Sequence, residues 1–255
     1  MLGWIVLGLL TLAFGGWAVS VRLGNASIVD VLWGAALVVV AVIALATGPE
    51  LTARSWLCAA LVGVWATRLV RHLGMRSLRE GEDWRHRALR ARSPRFAARS
   101  LVELFLFQLV GGGLVVGLPI MASVRAGQPS LGVVDALGVL MWAGGFTVEA
   151  TADAQLGRFR ERAPRGSLLD SGLWRYSRHP NYFGEAVQWL GIALLGVAAG
   201  SWWSLLSPAM MLVILLQTTG VRRMEQHLRE TRGEAYEAYA RSTSAFVPMP
   251  KRARA

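Results

Sequence analysis

The stretch 26-ASIVDVLWGAALVVVAVIALA-46 carries one charged residue, Asp30, in twenty-one. A helix that crosses a bilayer needs about 20 consecutive, mostly apolar residues, so this run predicts a membrane span. Runs of comparable character occupy about 2–21, 54–73, 100–121, 131–150, 183–199 and 202–220, for seven spans in total. The last two are short and separated only by 200-GSW-202, which predicts a tight helical hairpin. Composition agrees: 54% of the 255 residues are hydrophobic and 17% charged, against about 25% charged in a soluble domain. The expected fold is all-α, a multi-pass membrane protein of seven transmembrane helices. The first run begins at Met1 with no basic segment before it and no A-x-A-like site after it, so a removable signal peptide is not expected.

Arginine placement sets the expected orientation, because cytoplasmic loops accumulate Lys and Arg. Segment 71–99 holds nine arginines, 151–182 holds six, and 222–255 holds seven plus Lys251, whereas the opposite loops hold only Arg54 and Arg125. With seven spans, all three basic segments fall on one side. The N-terminus is then outside and the C-terminus cytoplasmic. A net charge of +11 thus follows from topology and attraction to anionic lipid and calls for no nucleic acid. Cys58 is the single cysteine, which excludes disulfides and cysteine-based metal clusters. His72, His86, His179 and His227 lack ligand spacing and there is no H-E-x-x-H, so no metal site is expected.

Ionisable groups inside a bilayer are costly and tend to be functional. Glu103 and Asp135 lie near span ends and read as snorkelling or capping groups; Asp30 and Glu149 lie deeper. Glu149 opens 149-EATADAQLGRFR-160, where Glu149, Asp153, Leu156 and Arg160 recur every three or four residues along one helical face. That stripe is either a self-neutralising ladder or the wall of a polar cavity.

The densest polar chemistry lies in 173-LWRYSRHPNYFGEAVQWLG-191. Pro180 suits the first turn of a helix. Asn181, Glu185 and Trp189 then share one face, with Gly184 and Gln188 beside them, and Gly184 is expected to leave room for a bound group. Arg175, Arg178 and His179 surround a helix N-terminus whose free N–H groups attract anions. A cationic rim, an amide and carboxylate face and an indole plate suit a ligand with phosphates at one end and a flat, amide-bearing ring at the other.

The block 178-RHPNYFGEAVQW-189 resembles the signature shared by steroid 5-alpha-reductases, sterol C14 and C7 reductases and isoprenylcysteine carboxyl methyltransferases. With 30-DVLWG-34, 65-WATRL-69, 82-EDWRHR-87, 149-EATADAQLGRF-159, 172-GLWRYSRHPNYFGE-185 and 236-YEAYARSTSAFVPMP-250, the chain most resembles the bacterial domain-of-unknown-function branch of the steroid 5-alpha-reductase superfamily. The resemblance implies one membrane-embedded domain over 1–255 that binds NADPH in a cavity facing the cytoplasm, in a bacterial inner membrane. Helices in 1–121 would serve the substrate, and 131–250 would carry the cofactor. It implies cofactor contacts at Asn181, Glu185 and Trp189, at Asp153 and Arg160, at Arg68, and at Arg222, Arg223 and Glu225. Arg178, His179 and Tyr182 complete that expected cofactor-binding set. The Gln-Glu pair and the Tyr of animal steroid reductases fall at about Val29-Asp30 and near Trp65, so one acid is kept and the phenol is absent.

The implied activity is NADPH-dependent reduction of a carbon–carbon double bond in a lipidic substrate, such as a 3-oxo-Δ4-steroid or related enone entering from the bilayer. Asp30, kept neutral by an apolar span, is the expected proton donor, with Tyr176 and Tyr182 as substitutes. Arg76, Arg79, Arg85, Arg158, Arg160, Arg162 and Arg178 are further candidates for the cofactor phosphates. No G-x-G-x-x-G is present, so binding falls to the helical bundle. Two rival readings remain: an S-adenosylmethionine-dependent methyltransferase of the isoprenylcysteine type, and a non-catalytic lipid-binding scaffold.

Overall fold

The computed structural model describes residues 1–49, 51–123, 130–164, 166–218 and 220–251. Arg125, Arg165, Arg252 and Arg254, which entered the charge count above, lie outside them. Every regular element described is helical, with one isolated bridge between Ser177 and Ser244. In chain order these are α1 (Leu2–Leu23), α2 (Ile28–Thr47), α3 (Ala53–Glu80) and α4 (Trp84–Ala91). After them come α5 (Phe96–Ser123, wide-turned over Leu101–Gly112), α6 (Val133–Arg162) and α7 (Pro180–Ala198). The last three are α8 (Leu206–Val213), α9 (Val221–Arg232) and α10 (Glu234–Ser242).

Among the described residues, five stretches are long and apolar enough to cross a membrane: Leu2–Leu23, Ile28–Thr47, Phe96–Ser123, Val133–Arg162 and Trp202–Arg232. Helices also form where the third and sixth spans were expected. Their sequences are diluted by Arg54, Arg68 and Arg71 in α3 and by Asn181, Glu185 and Gln188 in α7, and neither belongs to this apolar set. The turn after α7 is tight. Gly200 has φ 85 and donates to the Val197 carbonyl at 2.8 Å, while Ser201 N–H reaches the Gly196 carbonyl at 3.0 Å, closing the helix end with a left-handed glycine.

The chain falls into two compact units, 1–135 with 192–207, and 136–191 with 208–255. The end of α7 and the turn after it thus belong with the N-terminal helices rather than with the C-terminal half. In unit one, α2 packs against α1, α3 and α5, burying Leu9, Leu37, Val40, Val62, Trp65, Phe105 and Leu109. A Cβ on Gly34 would lie 3.3 Å from the Ala66 carbonyl, so a small residue lets α2 and α3 approach closely. Thr52 and Ser55 cap α3 reciprocally, satisfying two donors at its start.

Asp135 corrects an expectation. It neither snorkels nor merely caps: its carboxylate accepts from Arg54 Nε at 2.7 Å and Nη2 at 2.9 Å, and from Gly132 N–H at 2.8 Å. Arg54 also donates to the Ser130 carbonyl at 2.8 Å. Both side chains are almost wholly buried. Arg54 is therefore a structural ion-pair partner as well as a loop charge. Glu103 pairs with Arg99 one turn away on an exposed surface, as a span-end group would.

In unit two, α6 and α7 touch backbone to backbone. A Cβ on Gly184 would sit 2.6 Å from both Glu149 N and the Gly145 carbonyl, one on Gly145 would sit 2.5 Å from the Gly184 carbonyl, and one on Gly191 would sit 2.5 Å from the Gly138 carbonyl. Small residues at both crossing points admit this approach. The space beside Gly184 is filled by α6, not left for a ligand.

Candidate functional site

The α6–α7 contact determines which polar groups meet. Gln188 Nε2 donates to Glu149 Oε2 at 2.5 Å, and Asn181 Nδ2 donates to Asp153 Oδ1 at 3.0 Å. The acidic stripe on α6 thus faces α7, each carboxylate taking one side-chain amide. The other end of each amide is left over: Asn181 Oδ1 and Gln188 Oε1 are buried and have no hydrogen-bond partner among the described residues. Burying a carbonyl without a partner is costly, and both of these acceptors lie on one helix face. Glu185 and Trp189 on this face are also buried.

The loop before α7 is pinned to α6 as well. Leu173 N–H donates to Gln155 Oε1 at 2.9 Å and Trp174 Nε1 to the Ala152 carbonyl at 3.1 Å. Pro180 opens α7 as the sequence predicts.

Arg178 is not part of an open cationic rim. Its Nε donates to Glu225 Oε1 at 2.7 Å and its Nη1 to the carbonyls of Ala240 and Thr243 at 2.8 Å each. It is a clasp between the start of α7, α9 and the end of α10. The C-terminal segment continues along the loop: Arg178 N–H reaches the Ser244 carbonyl at 2.8 Å, Ser177 Oγ the Phe246 carbonyl at 2.7 Å, and Met249 N–H the Tyr176 carbonyl at 2.9 Å. Tyr239 Oη donates to the Trp174 carbonyl at 2.6 Å. Residues 240–249 form a strap across the head of the motif.

His179 lies under that strap, stacked on Tyr182 with the rings 5.5 Å apart and nearly parallel. Its Nε2 is 3.4 Å from Glu225 Oε1, longer than a well-formed hydrogen bond. Burial pushes the imidazole pKa down, and the Glu225 carboxylate only partly opposes this. Burial, reinforced by Glu225, pushes the Tyr236 phenol up. Tyr236 and Tyr239 were missed by sequence reasoning; their three-residue spacing in 236-YEAY-239 was the available signal.

The remaining candidates are spread out. Arg160 is exposed in the last turn of α6, Arg222 and Arg223 are exposed at the start of α9, Tyr176 is exposed, and Tyr182 is half-buried. Arg68 and Asp30 belong to unit one. The surroundings of Asp30 are not apolar: its Oδ2 accepts from Arg85 Nη2 at 3.0 Å and lies 3.2 Å from His86 Nε2. Arg85 also binds Asp83, which in turn pairs with Arg76. Asp83 caps α4 through Arg85 N–H. Burial alone would raise its pKa, but the hydrogen bonds and charges of Arg85 and Arg76 hold it well below the usual carboxylate range.

The family described as "Protein of unknown function (DUF1295)" matches residues 16–243. The 3-oxo-5-alpha-steroid 4-dehydrogenase 1 of Rattus norvegicus is 30% identical over 113 residues, 44% of this chain and 40% of that protein. The chain belongs to the DUF1295 family, within the steroid 5-alpha-reductase-like superfamily. It matches less than half the length of the rat relative, and no solved structure matches it.

In this DUF1295 protein, buried polar atoms converge on the α6–α7 face. Two cavities of the described residues lie in unit one. One, of about 100 Å³, is lined by Ser27, Asp30, Arg76 and Asp83 among others; the other, of about 730 Å³, is an apolar groove between α1 and α2.

Proposed function

We propose that this protein is a membrane-embedded NADPH-dependent reductase of a carbon–carbon double bond in a lipidic substrate, such as a 3-oxo-Δ4-steroid or related enone. One observation carries the reading: Asn181 Oδ1 and Gln188 Oε1 are buried, unpartnered acceptors on a single face of α7. They suit the N–H groups of a nicotinamide carboxamide. Membership of the superfamily supports it further. Under this reading seven helices cross the membrane, with the N-terminus outside and the cofactor face cytoplasmic, in a bacterial inner membrane.

The residues take these roles. Asn181 and Gln188 hold the carboxamide, each fixed from behind by Asp153 or Glu149 so that its oxygen stays turned to the ligand. Glu185 and Trp189 complete the face. The exposed Arg160, Arg222 and Arg223 hold phosphates, losing little hydration until they do so. When bound, NADPH supplies the hydride. The strap through Arg178 and Glu225 keeps His179 and the start of α7 in place. Asp30 is occupied by Arg85 and His86, and Tyr182, half-buried and stacked on His179, is the proton donor of this reading.

Purified protein in detergent, warmed with NADPH or with S-adenosylmethionine, tests the cofactor. Stabilisation by NADPH alone is expected, and stabilisation by S-adenosylmethionine alone would establish the methyltransferase reading instead. A panel of enones and host lipid extract, followed by loss of nicotinamide absorbance, then tests the reaction.

A further inference from the structure

The corner where α1 ends and α5 begins has an unbalanced charge. Trp17 Nε1 donates to the Ala97 carbonyl at 2.9 Å, and Arg90 Nη2 donates to the Gly24 carbonyl at 3.0 Å. The last turns of α1 therefore lie against residues 90–97. Leu2–Leu23 and Phe96–Ser123 are both membrane-crossing candidates, so this corner marks one membrane boundary.

The acids nearby are already taken. Glu82 is bound by Arg90, Asp83 by Arg85 and Arg76, Asp30 by Arg85, and Glu103 by Arg99. Arg22, Arg92 and Arg95 are exposed, and their guanidinium groups have no hydrogen bond or ion pair among the described residues. Arg92 and Arg95 flank the turn 93-SP-94, immediately before α5 begins. Beside these cations the surface is greasy: Val19, Val21 and Leu23 of α1 are 46%, 45% and 69% exposed, and Val102 of α5 is 58% exposed.

We infer that this corner is a binding surface for an anionic phospholipid, with Arg22, Arg92 and Arg95 on the headgroup and the flank of α1 and α5 along the acyl chains. Guanidiniums bind phosphate through paired N–H donors, and arginines near an anionic leaflet each add to the attraction. A soluble phosphate accounts for the cations but leaves the adjoining apolar flank uncovered. The lipid accounts for both. The surface lies in unit one and does not depend on what α6 and α7 bind.

Native mass spectrometry of the full chain in detergent, titrated with phosphatidylglycerol or phosphatidylcholine, tests this. Wild type is expected to retain phosphatidylglycerol in preference to phosphatidylcholine. Arg22→Gln/Arg92→Gln/Arg95→Gln should lose that preference by about tenfold or more, while the triple Lys variant keeps most of it and Arg241→Gln is unchanged. Circular dichroism shows whether the Gln variant remains helical. Equal retention of both lipids by wild type, an unchanged preference in a helical Gln variant, or displacement of the lipid by an equal concentration of inorganic phosphate would each overturn the inference. If the Gln variant does not fold, the single variants Arg92→Gln and Arg95→Gln decide by the same criterion.

Discussion

Gln188 donates to Glu149 because Gly184 and Gly145, one turn earlier on each helix, let the backbones of α7 and α6 touch. A buried carboxylate therefore faces a buried amide, and the amide's carbonyl is turned away from it. Gln188→Leu removes the amide donor to Glu149 and should cost about 1–3 kcal/mol of stability. Thermal unfolding in detergent measures it, and adding Glu149→Leu should recover much of the loss. An equally destabilised double variant would separate the two residues.

The glycine contact itself is tested by Gly184→Ala. The new methyl would overlap the α6 backbone, whose two near atoms are main chain and have no rotamer to change. Forcing them apart should cost about 1–3 kcal/mol or more and separate Asn181 from Asp153. The melting temperature should fall and NADPH stabilisation should go with it. Gly144→Ala, where nothing lies within 4 Å, is the matched control.

Asn181→Asp places a second carboxylate where Asn181 Nδ2 now donates to Asp153 at 3.0 Å. Two like charges at that separation repel, and the acceptor aimed at the carboxamide loses its support. NADPH affinity should drop about tenfold or more at neutral pH, read by cofactor-induced thermal shift. Asn181→Ala should weaken binding with less effect on the apoprotein.

Arg178 distinguishes a clasp from a phosphate ligand. Arg178→Lys keeps the charge, but one ammonium cannot reproduce the fork that spans Glu225 and two carbonyls. It should therefore destabilise the protein with or without NADPH. Arg223→Lys, on the exposed side of α9, should act on NADPH affinity and leave the apoprotein unchanged. Proteolytic sensitivity of residues 240–251 reports the clasp directly.

Acid should destabilise the fold in two stages. The folded pKa of His179 is depressed by burial, so below about pH 6.5 the unfolded chain binds a proton that the folded chain refuses, and stability falls. The folded pKa values of Glu82 and Asp83 are depressed by their arginine partners, against the opposing effect of burial. Their contribution is complete above about pH 4 and is lost as pH drops toward the folded values. Melting temperatures from pH 8 to 3 should show both steps, and His179→Gln should remove the upper one.

Apolar run length made the all-helical class and the helix positions legible, and the Pro180 start could be read from the sequence. Pairing partners could not. Asp30 reads as a lone acid in an apolar span because Arg85 and His86 are more than fifty residues away, and Arg54 reads as a loop charge because Asp135 is eighty-one away. Gly184 was misread for a related reason. A glycine creates space in the sequence of one helix, but only the neighbouring helix determines what fills it. Arg178 shows the same gap, since the carbonyls it binds belong to a segment with no motif of its own.

The strap has a bearing on biogenesis. Carbonyls at 240, 243, 244 and 246 and the N–H at 249 bind the head of α7, so a nascent chain that has inserted every helix through α9 still lacks the cross-link that seats its active face. On the NADPH reading, ligand competence would arise only after residue 249 has emerged from the ribosome, and a polypeptide fused close behind that residue would weigh directly on the seat.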